Sequence, residues 1–292
     1  SRRRVEREAE LAASLRHPNI VNLFQRTVLS DGRQALAMGY VEGVAIDEWA
    51  RAVDGAAPKN RDGERTALRV KLRAVATVCD ALQHAHVNGV IHRDLKPANV
   101  LVTSHGVPRV VDFGIARRVS SETRITRTGA FAGTLAYASP EQVSGQPGAV
   151  DIRSDVYSLG LILYEVLTGR RPYDTAGSLS GAIANITRNP PAPLGAVQPG
   201  DQPAGDELES IIERALAKNR SERYQSAAAL RNDIENYLAG RPVEARHHST
   251  VYLLKKLAWR HRVAFVATAA ALVLLAAFSG VTTFYHHEAE AS

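Results

Sequence analysis

The stretch His92-Arg93-Asp94-Leu95-Lys96-Pro97-Ala98-Asn99 decides how the 292-residue chain is read. Within eight positions it offers a carboxylate at Asp94, a cation at Lys96 and a neutral amide oxygen at Asn99. Pro97 stiffens the loop between the last two. Five fixed positions of this kind arise by chance in about one of 10⁴ chains this long, so the string carries weight by itself.

Eighteen positions after Asp94 comes Asp112-Phe113-Gly114, directly behind the apolar pair Val110-Val111. A carboxylate at a strand end presents both oxygens to a divalent cation between phosphates, and the glycine lets the next loop swing. Alone the tripeptide is weak; at this distance behind the first string it is strong. Together the residues suit phosphoryl transfer. Asp94 orients the attacking hydroxyl, Lys96 meets charge on the transferring phosphate, and Asn99 and Asp112 hold the metal.

With these motifs in place, the chain resembles a Hanks-type protein kinase of the bacterial, eukaryotic-like branch, over about residues 5–240. The resemblance implies an α+β, protein-kinase-like fold. It also implies ATP with Mg²⁺ or Mn²⁺, and protein serine or threonine as acceptor. Ala138-Ser139-Pro140-Glu141 stands where the family has Ala-Pro-Glu, with serine beside the proline. By resemblance Glu141 pairs with Arg223, and Asp155, on a central buried helix, braces the loop that carries Asp94. Phe113 and Gly114 belong to the same supporting set. Met38 is implied as gatekeeper, Gly39 to Val41 as the hinge that binds adenine through its backbone, and Leu101 as the apolar floor beneath adenine.

Serine/threonine rather than tyrosine specificity follows by resemblance from Lys96 and from Gly133-Thr134, with Thr134 bonding near Asp94 and Lys96. Arg93 beside the aspartate is the feature of kinases switched on by activation-loop phosphate. Thr126 and Thr128 sit at the spacing of autophosphorylation sites in similar bacterial kinases; solvated loop threonines are the plainer alternative. Glu8 is implied as the glutamate that grips the family's strand lysine.

The departure from the family is at the front. Its glycine-rich loop and strand lysine belong well upstream of Glu8, and only seven residues stand there. Lys59 and Lys71 follow the hinge and do not substitute. Ser1 opens the chain and Met38 is its only methionine, so an N-terminally truncated fragment with little activity of its own is expected. A pseudokinase or membrane-tethered scaffold is the competing reading. Asp94, Lys96, Asn99 and Asp112 together serve no chemical need in a scaffold.

The net charge of +6 is concentrated. Residues 241–262 hold six arginines and lysines against Glu244, and the rest of the chain is nearly neutral. That distribution points away from nucleic acid. It reads as the cytoplasmic flank of the apolar run Val263–Tyr285, which has no charged residue and would span roughly 35 Å as a helix. The expected order is kinase domain over 1–240, basic juxtamembrane segment over 241–262, transmembrane helix over 263–285, and the start of an extracytoplasmic region over 286–292. A single pass through the inner (plasma) membrane, with a cytoplasmic kinase domain, follows. The lipid bilayer is then a partner. Back-to-back homodimerisation through the small lobe is a further implication of the resemblance. The single cysteine, Cys79, excludes an internal disulfide and suits a reducing cytoplasm.

Periodicity predicts a helix over 2–16, strands over 20–29 and 34–40, a short helix over 46–53 and a polar loop over 54–64. A long helix over 66–88 comes next, then short strands, and after Pro140 helices to about Leu238.

Overall fold

Helix α4 (Ile152–Thr168) is apolar on nearly every side, which suits an element surrounded by protein. Val156, Tyr157, Leu159, Ile162 and Leu163 are fully buried along it. The computed structural model describes residues 13–28, 34–113, 135–145, 148–175, 178–194 and 204–246, together with Leu11 and Leu275. Against α4 pack α1 (Ile46–Ala56), α2 (Arg61–Val87), α6 (Ala204–Ala215) and α7 (Ala227–Leu238), while α3 (Pro140–Val143) and α5 (Leu179–Thr187) pack on each other.

The strands come first in the chain. An antiparallel hairpin pairs β1 (Leu23–Val28) with β2 (Gln34–Met38). Strands β3 (Gly43–Ala45), β4 (Val100–Thr103) and β5 (Pro108–Val110) form an antiparallel sheet in that order. A bridge from Ile20 to Val110 ties the N-terminal segment to it. Few strands followed by many helices give the expected α+β, kinase-like architecture.

Helix ends follow local chemistry. The Asn60 side chain accepts from Gly63 N at 2.8 Å, the Asp151 side chain from Arg153 N at 2.8 Å, and Ser226 Oγ from Ala229 N at 3.1 Å. Asn60 makes one correction: its cap starts α2 at Arg61, and α1 runs to Ala56, so the loop expected over 54–64 shrinks to residues 57–60. Gly160 lets α6 approach α4, since a Cβ there would sit 2.8 Å from Ala215 Cβ. The expected first helix falls largely on residues 1–10, outside the described residues.

The lobe continues past α7. Val243 is fully buried, and the buried Asp233 carboxylate accepts from Glu244 N at 2.6 Å, Ala245 N at 2.9 Å and the Tyr224 hydroxyl at 2.7 Å. Arg214 meets Glu244 at 3.1 Å, and Arg246 meets Asp206 at 3.0 Å. Thus the first six residues of the basic segment pack onto α6 and α7. Among the described residues no helix is long and apolar enough to cross a membrane. Residues 263–285, Leu275 apart, lie outside them.

Candidate active site

The loop after α2 is fixed by a buried carboxylate. Asp155 Oδ2 accepts from His92 N at 2.8 Å, and Oδ1 accepts from Arg93 N at 2.9 Å. His86 Nε2 adds a third contact to Oδ2 at 2.7 Å. Burial pushes the Asp155 carboxyl up, but the His86 bond, the nearby imidazoles and the backbone amides outweigh it and hold it below the usual carboxylate range. Arg93 is thereby kept at φ 66°, the left-handed region that a non-glycine residue adopts only when its surroundings enforce it.

From this anchored backbone the functional side chains converge. Lys96 Nζ lies 3.1 Å from Asp94 Oδ2, and the two side chains are 26% and 11% exposed, so both are sheltered yet reachable. A 3₁₀ turn over Pro97–Asn99 follows, and Asn99 Nδ2 donates to the Asp94 carbonyl at 2.8 Å. That bond commits the amide nitrogen and leaves Oδ1 for a cation. Val111 N donates to Asn99 O at 2.9 Å, which brings Asp112 beside Asn99. Asp112 has φ 55°, a second left-handed non-glycine residue at the same place.

Behind them the His92 ring packs tilted against Phe113, with ring centroids 4.8 Å apart, and its Nε2 contacts Val111 O at 3.1 Å. Burial lowers the His92 pKa against the pull of nearby carboxylates, so its imidazole is a neutral spacer. Asn99 and Asp112 would hold a magnesium ion through two hard oxygen donors, the ligand type this ion takes.

The residues expected to face the nucleotide lie on β2, its exit and β4. Met38 ends β2. The Gly39 amide donates to Asn22 O at 3.0 Å, which ties the exit of β2 to the segment before β1. Val100 and Val102 point into the core, so Leu101 lies on the opposite face of β4, as a floor residue should. Glu141 and Arg223 form the expected pair, with Nη1–Oε1 at 2.8 Å and Nη2–Oε2 at 2.9 Å. Glu8, Gly114, Thr126, Thr128 and Thr134 lie outside the described residues.

Two contributors escape sequence reading. His86 is the penultimate residue of α2 and looks like any helical histidine until Asp155 is placed against it. Ser154 donates to Glu141 Oε1 at 2.6 Å, a contact only the fold creates.

Residues 1–234 match the family described as "Protein kinase domain". The chain belongs to that family. The kinase domain is 38% identical over 247 residues to the serine/threonine-protein kinase PknB of Mycobacterium leprae, covering 83% of this chain and 37% of that protein. It is 36% identical over 233 residues to the serine/threonine-protein kinase PrkC of Bacillus subtilis, covering 80% of this chain and 33% of that one. The chain therefore spans about a third of the length of these curated relatives. Among solved structures it resembles the Mycobacterium tuberculosis PknI kinase domain, with a TM-score of 0.54, 27% identity and coverage of 81% and 79% of the two chains.

Proposed function

We propose that this kinase domain transfers the γ-phosphoryl group of ATP to serine or threonine of protein substrates. The observation that carries this reading is the junction of Asp94, Lys96, Asn99 and Asp112, held by Asp155 and by the Asn99–Val111 backbone bond. The Asp94 carboxylate accepts the hydrogen bond of the incoming hydroxyl and aims its oxygen. Lys96, within 3.1 Å of that carboxylate, stands where negative charge gathers on the transferring group. Asn99 Oδ1 and the Asp112 carboxylate would hold magnesium, which would supply charge neutralisation at the phosphates. The serine/threonine class is supported by the relatives PknB and PrkC.

No lysine precedes Met38, so the residue that grips the α- and β-phosphates in this family is not among these residues, and the chain alone is expected to turn over poorly. The same protein is anchored by one helix over 263–285 with the kinase domain cytoplasmic, supported by the charge-free run behind a flank of net charge +5. Thr126 and Thr128 are the proposed activating phosphosites, and Arg93 is the residue proposed to hold the added dianion.

The test is autophosphorylation of the full-length protein with radiolabelled ATP, beside Asp94→Asn and Asp112→Asn. Label on serine or threonine that disappears in both variants is the expected result. No label with either Mg²⁺ or Mn²⁺ would replace the enzyme with a scaffold of the same fold. Deleting 263–285 should move the protein from the membrane to the soluble fraction, and retention in the membrane would sink the anchor.

A further inference from the structure

The loop carrying Asp94 is held from a second side, by a residue that the phosphotransfer reading leaves unused. Gln142 Oε1 accepts from Ser139 N at 2.8 Å and from Ser139 Oγ at 3.0 Å. Its Nε2 donates to the Arg93 carbonyl at 2.7 Å. The two donors on Ser139 fix which end of the carboxamide is which. Turned over, the nitrogen would face an N–H and an O–H, and the Arg93 carbonyl would face another acceptor. Ser139 is 0% exposed, so its hydroxyl has no water to replace Gln142.

The carbonyl that Gln142 holds belongs to the planar peptide unit that also carries the Asp94 amide, so its orientation sets the backbone entering Asp94. At the other end of the same residue, Arg93 N is held by Asp155 Oδ1 at 2.9 Å. Arg93 is therefore clamped at both of its backbone polar groups while it sits at φ 66°. Asp155 is the brace expected from the sequence; Gln142 is its counterpart.

We propose that Gln142, locked by Ser139, is a positioning residue for phosphoryl transfer. It sets the Arg93–Asp94 peptide and, through it, the Asp94 carboxylate. This rests on the reading of Asp94 as the group that orients the hydroxyl. It also gives the serine at 139 a purpose: its hydroxyl is the second donor that keeps the carboxamide from turning.

The test compares the full-length protein with Gln142→Leu, Gln142→Glu and Ser139→Ala, using one readout independent of activity and one of activity. Amide hydrogen exchange over residues 92–96 should quicken about tenfold in both Gln142 variants while α4 keeps its protection. The kcat should fall about 10- to 100-fold with KM for ATP held within about twofold, and Ser139→Ala should lie between. Unchanged exchange over 92–96 in a folded variant overturns the proposal, as does a loss confined to KM. Should Gln142→Leu fail to fold, Gln142→Glu keeps the acceptor for Ser139 and replaces the donor to Arg93 with a carboxylate oxygen that the carbonyl repels. Quickened exchange in a parent protein that transfers no phosphate would support the latch and overturn the phosphotransfer reading, which separates the two.

Discussion

Glu141 and Arg223 meet through two parallel hydrogen bonds, 2.8 and 2.9 Å long, with side chains 6% and 0% exposed. They lie 82 positions apart in sequence. The pair joins the helix-α3 region to the loop before α7, and Arg223 also donates to the carbonyls of Arg153, Ala217 and Lys218. Replacing Arg223 with methionine strands a buried carboxylate. A loss of about 3–5 kcal/mol in urea unfolding is expected, and a loss under about 1 kcal/mol would contradict this account. In Glu141, burial pushes the carboxyl up, but the Arg223 and Ser154 bonds more than reverse it and depress the pKa. Its stabilisation is therefore full above the ordinary glutamate range and disappears as pH falls through the lowered value. Glu141→Gln should flatten that part of the acid-unfolding curve.

His92 should make the fold sensitive to mild acid. Its folded pKa lies below the ordinary 6.5 because burial disfavours the imidazolium. Between the two values the unfolded chain binds more protons, so stability falls as pH drops below about 6.5. His92→Phe should remove this slope from melting temperatures measured between pH 7.5 and 5.5, and an unchanged slope would place the sensitivity elsewhere.

Lys218 gives the opposite end of the pH scale. Its ammonium donates to Tyr173 Oη at 2.8 Å, Tyr157 Oη at 3.3 Å and Ile186 O at 2.7 Å. It also lies 4.0 Å from the Tyr173 ring centre. Burial, with the Arg223 charge, brings its pKa down to about 8. A lowered lysine pKa means that the unfolded chain holds the extra proton between that value and the ordinary one, so stability contributed by this residue rises with pH from about 8. Compared with Lys218→Met, the parent should gain stability between pH 8 and 9.5, before tyrosine ionisation intervenes. Parallel curves for the two proteins would contradict it.

Asp233 should protect the chain beyond α7 from protease. Asp233→Asn weakens the hold on the amides of Glu244 and Ala245. Cleavage by trypsin after Arg246 should accelerate at least about tenfold while the melting temperature changes far less, since local opening governs the cut. Equal cleavage rates would mean that the segment is held by Val243 and the flanking ion pairs.

How much of this was legible in the sequence depends on how far each contact reaches. Asp94, Lys96 and Asn99 share one short loop, so a string of eight letters reveals them. Asp112 follows at a fixed spacing because β4 and β5 form a hairpin of set length. Asp155, Glu141 and Arg223 came from the family resemblance, and their partners are as expected. Gln142, Ser154, His86 and Lys218 were not legible. Each is an ordinary polar residue whose meaning arises from a contact across the fold, and no local pattern encodes it. The boundary between α1 and α2 shows the same limit at short range: polar residues 54–64 read as loop, yet the Asn60 cap and tertiary burial of Gly63 and Ala67 extend helix into them.

The docking of residues 243–246 has a mechanical side. Asp233 lies on α7, which runs against α2, and α2 leads into the loop bearing Asp94. Through α6 and α7 the last packed turn of the lobe, over residues 244–246, is thus joined by an unbroken series of contacts to the helix that leads into the loop bearing Asp94.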